Sequence, residues 1–413
     1  MKKSLTLLTL GSILEYYDFA IYLFFAKKIG ESLIPINNPI TNLIVIFAIY
    51  AAGALIRPLG GLVFSYFGDK YSRKKSLNTS ILIMALSTLA IGLIPKYQNI
   101  GMLSVVLLIL LRFTQSFAVG GEVPAAMVFA YEISTVEKKA LYTNIAICGT
   151  NIGLLFASIV CGYLSNHATG ELIWRSGFII GGIAGIGFML LRRQLSEPNE
   201  FTQALNSYNN VNPIKNLFKN NRANFINALM FNLFIAASVT VFIGFMPSYL
   251  LTFYNIPLNI VMKINSNSIF IFLICSLIAG KFYYLFNRRF FLISIIIFIG
   301  LINYLFNIYG NITYLKLEYF HYLMFIYLGI IAGRLPVILN NLFPISIRYT
   351  GVSLTYNLSF GIIGGLSQVI LFGLIDVTNL KTLPAIYVSI FALVAWIFFY
   401  FTNDNQLNQA KEN

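Results

Sequence analysis

The stretch from Leu5 to Ala26 reads LTLLTLGSILEYYDFAIYLFFA. A helix of this length spans about 33 Å, which is enough to cross the hydrocarbon core of a bilayer. Two acidic residues, Glu15 and Asp18, interrupt the apolar run. Because the run is long, contains these acids and lacks a cleavage site of small residues, it differs from a secretory signal peptide. We interpret it as an uncleaved first transmembrane helix.

The rest of the chain has the same character. Of its 413 residues, 58% are hydrophobic and 10% are charged, whereas soluble proteins carry about 25% charged residues. Apolar blocks separated by charged residues, Pro, Asn and Gly therefore predict an all-α membrane protein with twelve transmembrane helices. Their expected limits are 5–26, 41–66, 76–95, 101–130, 141–165, 174–194, 224–250, 264–285, 290–310, 319–342, 351–374 and 383–402.

A polar, asparagine-rich segment divides these helices into six plus six. The loops SYFGDKYSRKK (65–75) and GKFYYLFNRR (280–289) occupy equivalent places in the two halves. Such a duplication is typical of transporters whose site lies between the halves. We predict an N-terminal six-helix bundle at 1–195, a cytoplasmic linker at 196–222, a C-terminal six-helix bundle at 223–402 and a short cytoplasmic tail at 403–413.

The basic residues indicate the orientation and the partners. With a cytoplasmic N-terminus, eighteen lysines and arginines fall in inside loops and seven in outside loops, in agreement with the positive-inside rule. Both termini are therefore expected in the cytoplasm. The net charge of +14 is scattered between apolar blocks, so no nucleic-acid partner is expected. The expected partners are the lipid bilayer and a small solute, and the protein is expected to be a monomer.

Cysteine and histidine give no sign of a metal, a cofactor or catalysis. Cys148, Cys161 and Cys275 lie inside predicted helices without disulfide or zinc spacing. His167 and His321 are placed alone in outside loops, without a metal or acid motif nearby. A polytopic membrane enzyme would need catalytic side chains at the interface, so this alternative class is disfavoured. A transport-inactive relic is a further alternative.

Six charged residues fall inside the predicted helices at least about eight residues from either end, and a charge near the middle of the membrane costs about 2.5–3.5 kcal/mol. Three are acids and three are bases, which suggests mutual pairing in a cavity lined by protein. They are Glu15, Asp18, Arg57, Arg112, Glu122 and Arg334.

Glu15 and Asp18 lie three residues apart and therefore share one helix face with Tyr22. Two carboxylates at this distance cannot both ionise without cost, which suits a proton-binding site. The alternative is that they only pair with Arg57 or Arg112 and hold the helices together.

Arg112 and Gln115 share a face of the fourth helix. The guanidinium offers a fork of donors to a solute carboxylate, or else pairs with an acid of the first helix. We therefore predict a substrate site of Asp18, Tyr22, Arg112 and Gln115.

Glu122 lies about 15 Å along the helix axis from Arg112, too far to share one small ligand. Glu122 acts either as a gate or proton relay, or as a structural partner of a base, and the sequence leaves both alternatives open. Arg57 and Arg334 are placed toward the cytoplasmic ends of their helices, each near a proline, and are expected to have structural or gating roles.

The loop GDKYSRKK (68–75) resembles the signature between helices 2 and 3 of the major facilitator superfamily. Further strings resemble its metabolite:proton symporter family, which includes proline/betaine and 2-oxoglutarate permeases. They follow in the right order over nearly the whole chain: GSILEYYDF (11–19), RPLGG (57–61), RFTQSFAVGGE (112–122), WRSGF (174–178), LRRQLSEP (191–198), MPSYL (246–250) and LFPISIRYTG (342–351).

The resemblance implies alternating access, in which the two bundles rock about a central site and proton entry drives solute uptake across a bacterial inner membrane. By position it implies that Glu15 and Asp18 form the acidic pair of helix 1. Glu122 joins them as a candidate for proton coupling. The residues expected to act in gating are Arg57, Asp69, Arg73, Arg334 and Arg348.

The chain also departs from the family pattern, so the gate of the second half is expected to be looser. The departures are Ser65, Ser72, Gly177, Tyr284 and Asn341. We expect proton-coupled symport of a small zwitterion such as proline or glycine betaine, with sodium as an open alternative for the ion and no cofactor. The runner-up, a permease for organic anions such as 2-oxoglutarate, should place two bases at the central site, where the sequence supports only Arg112.

Overall fold

The computed structural model describes residues 2–70, 72–135, 138–194, 197, 213–282, 288–308, 314–345 and 347–401. Within these ranges the description leaves out the side chains of residues 2–4, 68–70, 73, 288, 289, 291, 308 and 314–317. All regular elements of the described ranges are helical.

The helices form twelve spans, numbered here in chain order. Spans 1 to 6 are Lys2–Phe24, Pro39–Ala54 with Arg57–Lys70, Arg73–Gly92, Met102–Val119 with Glu122–Glu132, Lys139–His167 and Leu172–Arg192. Spans 7 to 9 are Arg222–Val239 with Thr240–Phe245 and Met246–Phe253, Leu258–Lys281 and Arg288–Ile308. Spans 10 to 12 are Tyr314–Ala332 with Leu335–Asn341, Arg348–Leu358 with Ser359–Ile363 and Gly364–Thr378, and Leu383–Phe401. Shorter helices in the described ranges are Ala26–Leu33, Tyr97–Ile100 and Pro213–Asn220.

Eleven of the helices are long and apolar enough to cross a membrane, and span 9 contains a shorter apolar helix, Leu292–Asn307. The prediction of an all-α membrane protein with twelve transmembrane helices is confirmed. Span 8 begins at Leu258, six residues before its predicted start, because the helix continues through Asn259 and Lys263. The limits predicted for the bundles, linker and tail remain predictions, since most of the linker and the tail lie outside the described residues.

Several spans are irregular near their middle. Span 2 breaks at Leu55 and Ile56, just before Pro58, which has no N–H to donate to the carbonyl of Ala54. Span 4 breaks at Gly120–Gly121 and span 10 at Gly333–Arg334, which are equivalent spans of the two halves. Spans 7 and 11 each contain a π-helical segment. Irregular segments of this kind are common at functional sites.

Spans 1 to 6 and spans 7 to 12 form two six-helix bundles, which meet mainly where span 2 packs on span 11 and span 5 on span 8. The end of the molecule at which span 1 begins and span 12 ends is called the terminal side here, and the opposite end is called the far side. Odd-numbered spans run from the terminal side to the far side.

The terminal side is closed by hydrogen bonds to the backbone break of span 4. Asn357 Nδ2 of span 11 donates to the carbonyl of Gly120 at 2.7 Å. The Tyr349 hydroxyl, also of span 11, donates to the carbonyl of Gly121 at 3.1 Å. The helix break exposes carbonyl groups that a continuous helix would use internally, and the opposite bundle binds them.

The equivalent break of span 10 is bound in the same way. Asn144 Nδ2 of span 5 donates to the carbonyl of Gly333 at 2.5 Å. Nearby, the Tyr131 hydroxyl of span 4 donates to Asn341 Oδ1 at 2.7 Å. Each bundle therefore holds the helix break of the other.

The far side is closed by aromatic rings. Phe47 of span 2 stacks on Phe372 of span 11 with ring centroids 5.5 Å apart. Phe372 also contacts Phe245 and Phe253 of span 7, at 4.8 and 5.8 Å. With closures on both sides, the structure is an occluded state.

Candidate functional site

A small cavity lies between the two closures at the middle of the N-terminal bundle. Its volume is about 20 Å³, which is room for about one water molecule. All of its lining residues come from spans 1, 2 and 4: Glu15, Asp18, Phe19, Tyr50, Ala54, Arg57, Arg112, Gln115, Ser116 and Val119. The structure thus brings together five of the charged and polar residues singled out in the sequence. An organic solute can occupy this site only after the bundles move apart.

The position of Arg57 depends on a close crossing of spans 2 and 4. A Cβ atom on Gly60 would collide with the carbonyl oxygen of Phe117, and one on Gly120 would collide with that of Arg57. Only glycine permits this approach of two backbones. The crossing places Arg57 at the central cavity, in the half of span 2 nearer the terminal side. Its structural or gating role stays a prediction.

Glu15 and Arg57 form a buried ion pair. Arg57 Nη2 lies 2.6 Å from Glu15 Oε1, and the two side chains are 6% and 1% exposed. Both residues belong to the N-terminal bundle, so the pair joins spans 1 and 2. This is the pairing that the sequence left open as an alternative to proton binding.

Asp18 is held by neutral donors. Gln115 Nε2 donates to Asp18 Oδ2 at 3.0 Å, and the Thr88 hydroxyl of span 3 donates to the same oxygen. Asp18 Oδ1 is buried and has no hydrogen-bond partner among the described residues. Thr88 was missed by the sequence reading, because a single threonine in an apolar helix carries no distinguishing signal. A buried carboxylate that has no ion-pair partner among the described residues, and one unbonded oxygen, is suited to taking up a proton, because an unpaired buried charge is costly.

Arg112 lies beside Asp18 but forms no ion pair within the described part of the chain. Its guanidinium donates to Gln115 Oε1 and stacks over Tyr22 and Tyr50, with centroids 4.2 and 5.3 Å away. Tyr22 is not among the residues that line the cavity. Its hydroxyl donates to the carbonyl of Ile46 at 2.9 Å, and its ring packs against the guanidinium.

A hydrogen bond from the C-terminal bundle reaches the neighbourhood of Glu15. The hydroxyls of Tyr16 in span 1 and Tyr356 in span 11 are hydrogen-bonded to each other. The Tyr356 ring stacks on Phe360 at 4.5 Å. A movement of one bundle relative to the other would therefore alter the hydrogen bond of Tyr16, the residue next to Glu15.

Glu122 lies outside the central cavity, in a second buried ion pair. Its Oε1 is 2.5 Å from Arg192 Nη2 of span 6, and both side chains are at most 1% exposed. Ser80 donates to the other carboxylate oxygen at 3.1 Å. Arg192 also donates to the carbonyls of Leu7 and Leu8 in span 1. This geometry favours the structural alternative for Glu122, and its proton-relay role stays a prediction.

We expect Glu122→Gln to destabilise the protein by about 3–5 kcal/mol, because removing one partner leaves the Arg192 charge buried without compensation. Thermal unfolding in detergent measures the effect. Glu31→Gln is the matched control, since Glu31 pairs with Lys28 at 3.2 Å on the exposed surface and should change the unfolding temperature little. Equal shifts in the two variants would contradict the structural role. Loss of proton-driven uptake at normal stability would support the relay.

The predicted gating residues are only partly described. Arg348 donates to the carbonyls of Asn340 and Phe343 and lies over the ring of Tyr131, 4.7 Å from its centroid. It therefore lies at the terminal closure. Arg334 lies at the break of span 10, half-buried and away from the central cavity. The side chains of Asp69 and Arg73, and the whole of Tyr284, lie outside the description, so their roles remain predictions.

Two further positions differ from the sequence reading. His321 lies inside span 10, 6% exposed and stacked at 6.4 Å from Phe325, so its placement in an outside loop is wrong. The helix predicted at 319–342 already included this residue, so the loop placement disagreed with the predicted limits as well. Glu132, which the sequence analysis did not single out, is buried at the end of span 4.

The described residues contain no group of three or more His, Cys, Asp or Glu that could hold a metal ion.

Twelve spans in two bundles, with a charged cavity sealed at the centre, define a multi-pass membrane transporter. The sequence model of the Major Facilitator Superfamily matches residues 8–368. The chain belongs to this superfamily.

Known proteins of two kinds are similar to this chain. The proline/betaine transporter of Escherichia coli (strain K12) is 29% identical over 423 residues, which cover 96% of this chain and 82% of that protein. The proton:xylose symporter bound to 6-bromo-6-deoxy-D-glucose superimposes with a TM-score of 0.79 at 14% identity, over 100% of this chain and 98% of that one. A partially occluded, inward-open xylose transporter from E. coli gives 0.77 at 14% identity, over 97% and 98%. The structural likeness shows the fold.

Proposed function

We propose that the protein imports a small zwitterion, such as proline or glycine betaine, together with a proton by alternating access. The observation that carries the proposal is Arg112, a buried guanidinium at the central cavity without an ion-pair partner among the described residues. A carboxylate is the natural ligand of such a group, because the guanidinium fork matches its two oxygens.

Charge balance favours a zwitterion over a dianion. The cavity contains two acids and two bases, since the structure adds Arg57 to the Arg112 that the sequence supported. Arg57, however, is already neutralised by Glu15 at 2.6 Å. One guanidinium remains for one solute carboxylate, and the aromatic rings of Phe19 and Tyr50 suit a cationic group. A dicarboxylate would bring a second charge for which the site has no unpaired base, which disfavours the organic-anion alternative.

The bridge made by Gln115 supports coupling to a proton. Its amide joins the guanidinium of Arg112 to Asp18, donating to the acid at 3.0 Å. Protonation of Asp18 removes a negative charge next to Arg112, so the guanidinium then attracts a solute carboxylate more strongly. By linkage, the bound solute favours the protonated form to the same extent. Symport is the expected result.

The proposed setting is a bacterial inner membrane with both termini in the cytoplasm, and a monomer without a cofactor. The relatives named proline/betaine transporter support the solute class. With this orientation, the terminal side faces the cytoplasm and the far side receives the solute.

Uptake by purified protein in proteoliposomes tests the proposal. We expect labelled proline or glycine betaine to accumulate under an inwardly directed proton gradient, and 2-oxoglutarate to be ignored. Accumulation driven only by a sodium gradient would identify sodium, rather than the proton, as the coupling ion. Uptake of 2-oxoglutarate alone would support the anion permease, and no flux of any solute would refute transport of this class.

A further inference from the structure

Two polar side chains of the C-terminal bundle are fully buried without hydrogen-bond partners among the described residues. They are Gln368 of span 11 and Thr240 of span 7, each 0% exposed. Neither Oε1 nor Nε2 of Gln368 is bonded, and Oγ1 of Thr240 is unbonded too. Burying such groups unpaired destabilises a protein, so most buried polar groups have partners. Their presence indicates that another state of the protein uses them.

The two side chains belong to one contact between spans 7 and 11. Thr240 Oγ1 lies 3.4 Å from the place that a Cβ atom would take on Gly364, and Gln368 Nε2 lies 3.1 Å from the equivalent place on Gly244. Residues four apart lie one turn apart on the same helix face. Thr240 and Gln368 therefore occupy neighbouring turns of the contact.

This contact lies at the boundary of the two bundles. Gly244 also packs against Leu23 of span 1, whose side chain lies 2.8 Å from the place of a Cβ atom on that glycine. Leu23 follows Asp18 by five residues, which is about 7.5 Å along a helix. Thr240 and Gly244 lie in the π-helical segment of span 7. Along the axis of span 1, the unbonded groups thus lie one to two turns from Asp18 toward the far side.

The far-side closure covers these groups. Phe372 lies one turn beyond Gln368 on span 11, and Phe245 follows Gly244 on span 7. Their rings contact each other with centroids 4.8 Å apart. Separation of spans 2 and 11 at the far side would part Phe47 from Phe372 and open the way to Gln368.

We propose that Gln368 and Thr240 form a second polar subsite that accepts the ammonium N–H groups of the solute while Arg112 binds its carboxylate. This inference rests on the proposed function. The amide oxygen and the hydroxyl oxygen are both hydrogen-bond acceptors for N–H. Proline and other amino acids carry such donors on their nitrogen, whereas the quaternary nitrogen of glycine betaine carries none. The subsite would therefore separate amino acids from betaines.

The test replaces the amide with an apolar side chain of similar size. In Gln368→Leu we expect the unfolding temperature of the solute-free protein to stay the same or rise, because an unpaired buried amide is removed. We expect the Kd for proline to rise about tenfold, because a hydrogen bond to a charged nitrogen is lost. The Kd for glycine betaine should not change. Thr240→Val should act in the same direction, with rescue by Thr240→Ser.

Ser367→Ala is the matched control. Ser367 is the neighbour of Gln368 and equally buried, but its hydroxyl is bonded to the carbonyl of Ile363 and to Tyr387 at 2.9 Å, within the C-terminal bundle. Its loss should leave both Kd values unchanged.

Three results would overturn the inference. They are a lower unfolding temperature in Gln368→Leu, an unchanged Kd for proline, and an equal loss of affinity for proline and betaine. Wild-type protein that binds betaine but not proline would also overturn it while leaving the proposed function intact. Wild-type protein that neither binds nor takes up either solute would instead refute the proposed function.

Discussion

Asp18→Asn should abolish proton-driven accumulation of the solute. Asparagine keeps the size of the side chain but cannot change its charge, so the link between protonation and the affinity of Arg112 is lost. In proteoliposomes we expect the internal concentration to rise only to the external one, whatever the pH gradient. Exchange of internal for external solute should continue, because Arg112 and the moving bundles are unaltered.

Asp376→Asn is the control for this variant. Asp376 lies in span 11 toward the far side and is exposed, so the same chemical change there should leave accumulation intact. Normal accumulation by Asp18→Asn at equal reconstitution would contradict the assignment of Asp18 as the proton site. Glu15 would then be the remaining carboxylate of the cavity to replace.

Arg112→Ala should abolish solute binding. Truncating one partner of a buried, charged hydrogen-bonded contact costs about 2–5 kcal/mol, which corresponds to a rise in Kd of about 30-fold or more. Because binding precedes every later step, exchange and accumulation should both disappear. Binding of labelled solute to the purified protein measures this directly, and it separates Arg112→Ala from the Asp18 variant.

Arg193→Ala is the control, since Arg193 is exposed at the end of span 6. Its replacement should leave the Kd unchanged. An Arg112→Ala protein that unfolds at the wild-type temperature yet binds with wild-type affinity would exclude Arg112 as the carboxylate ligand.

The sequence was sufficient for the spans and for part of the site. Long apolar runs identify helices without any knowledge of packing, because the bilayer requires them. Charges inside such runs are costly and therefore conspicuous. For this reason Glu15, Asp18 and Arg112 could be placed at one cavity from the sequence, together with Gln115 at i+3 of Arg112.

The rest depended on where helices break and on which neutral side chains meet. Arg57 lies at the cavity where spans 2 and 4 cross closely at Gly60 and Gly120, and helical periodicity does not predict this crossing. Thr88 and Gln368 are uncharged, and polar neutral residues are too common in membrane helices to mark a site. They are distinguished only by their hydrogen bonds: Thr88 bonds to Asp18, and Gln368 has no partner among the described residues.

The terminal closure uses main-chain acceptors, and this limits how mutation can weaken it. Asn144, Tyr349 and Asn357 donate to carbonyl oxygens of the main chain, and every amino acid supplies such an oxygen. Mutation can delete the donor of each bond but never its acceptor. None of these three hydrogen bonds involves a charged group, so salt should weaken them little. Such hydrogen bonds can be kept in a chain whose loop signature departs from the family pattern, as this chain does at Ser65 and Ser72.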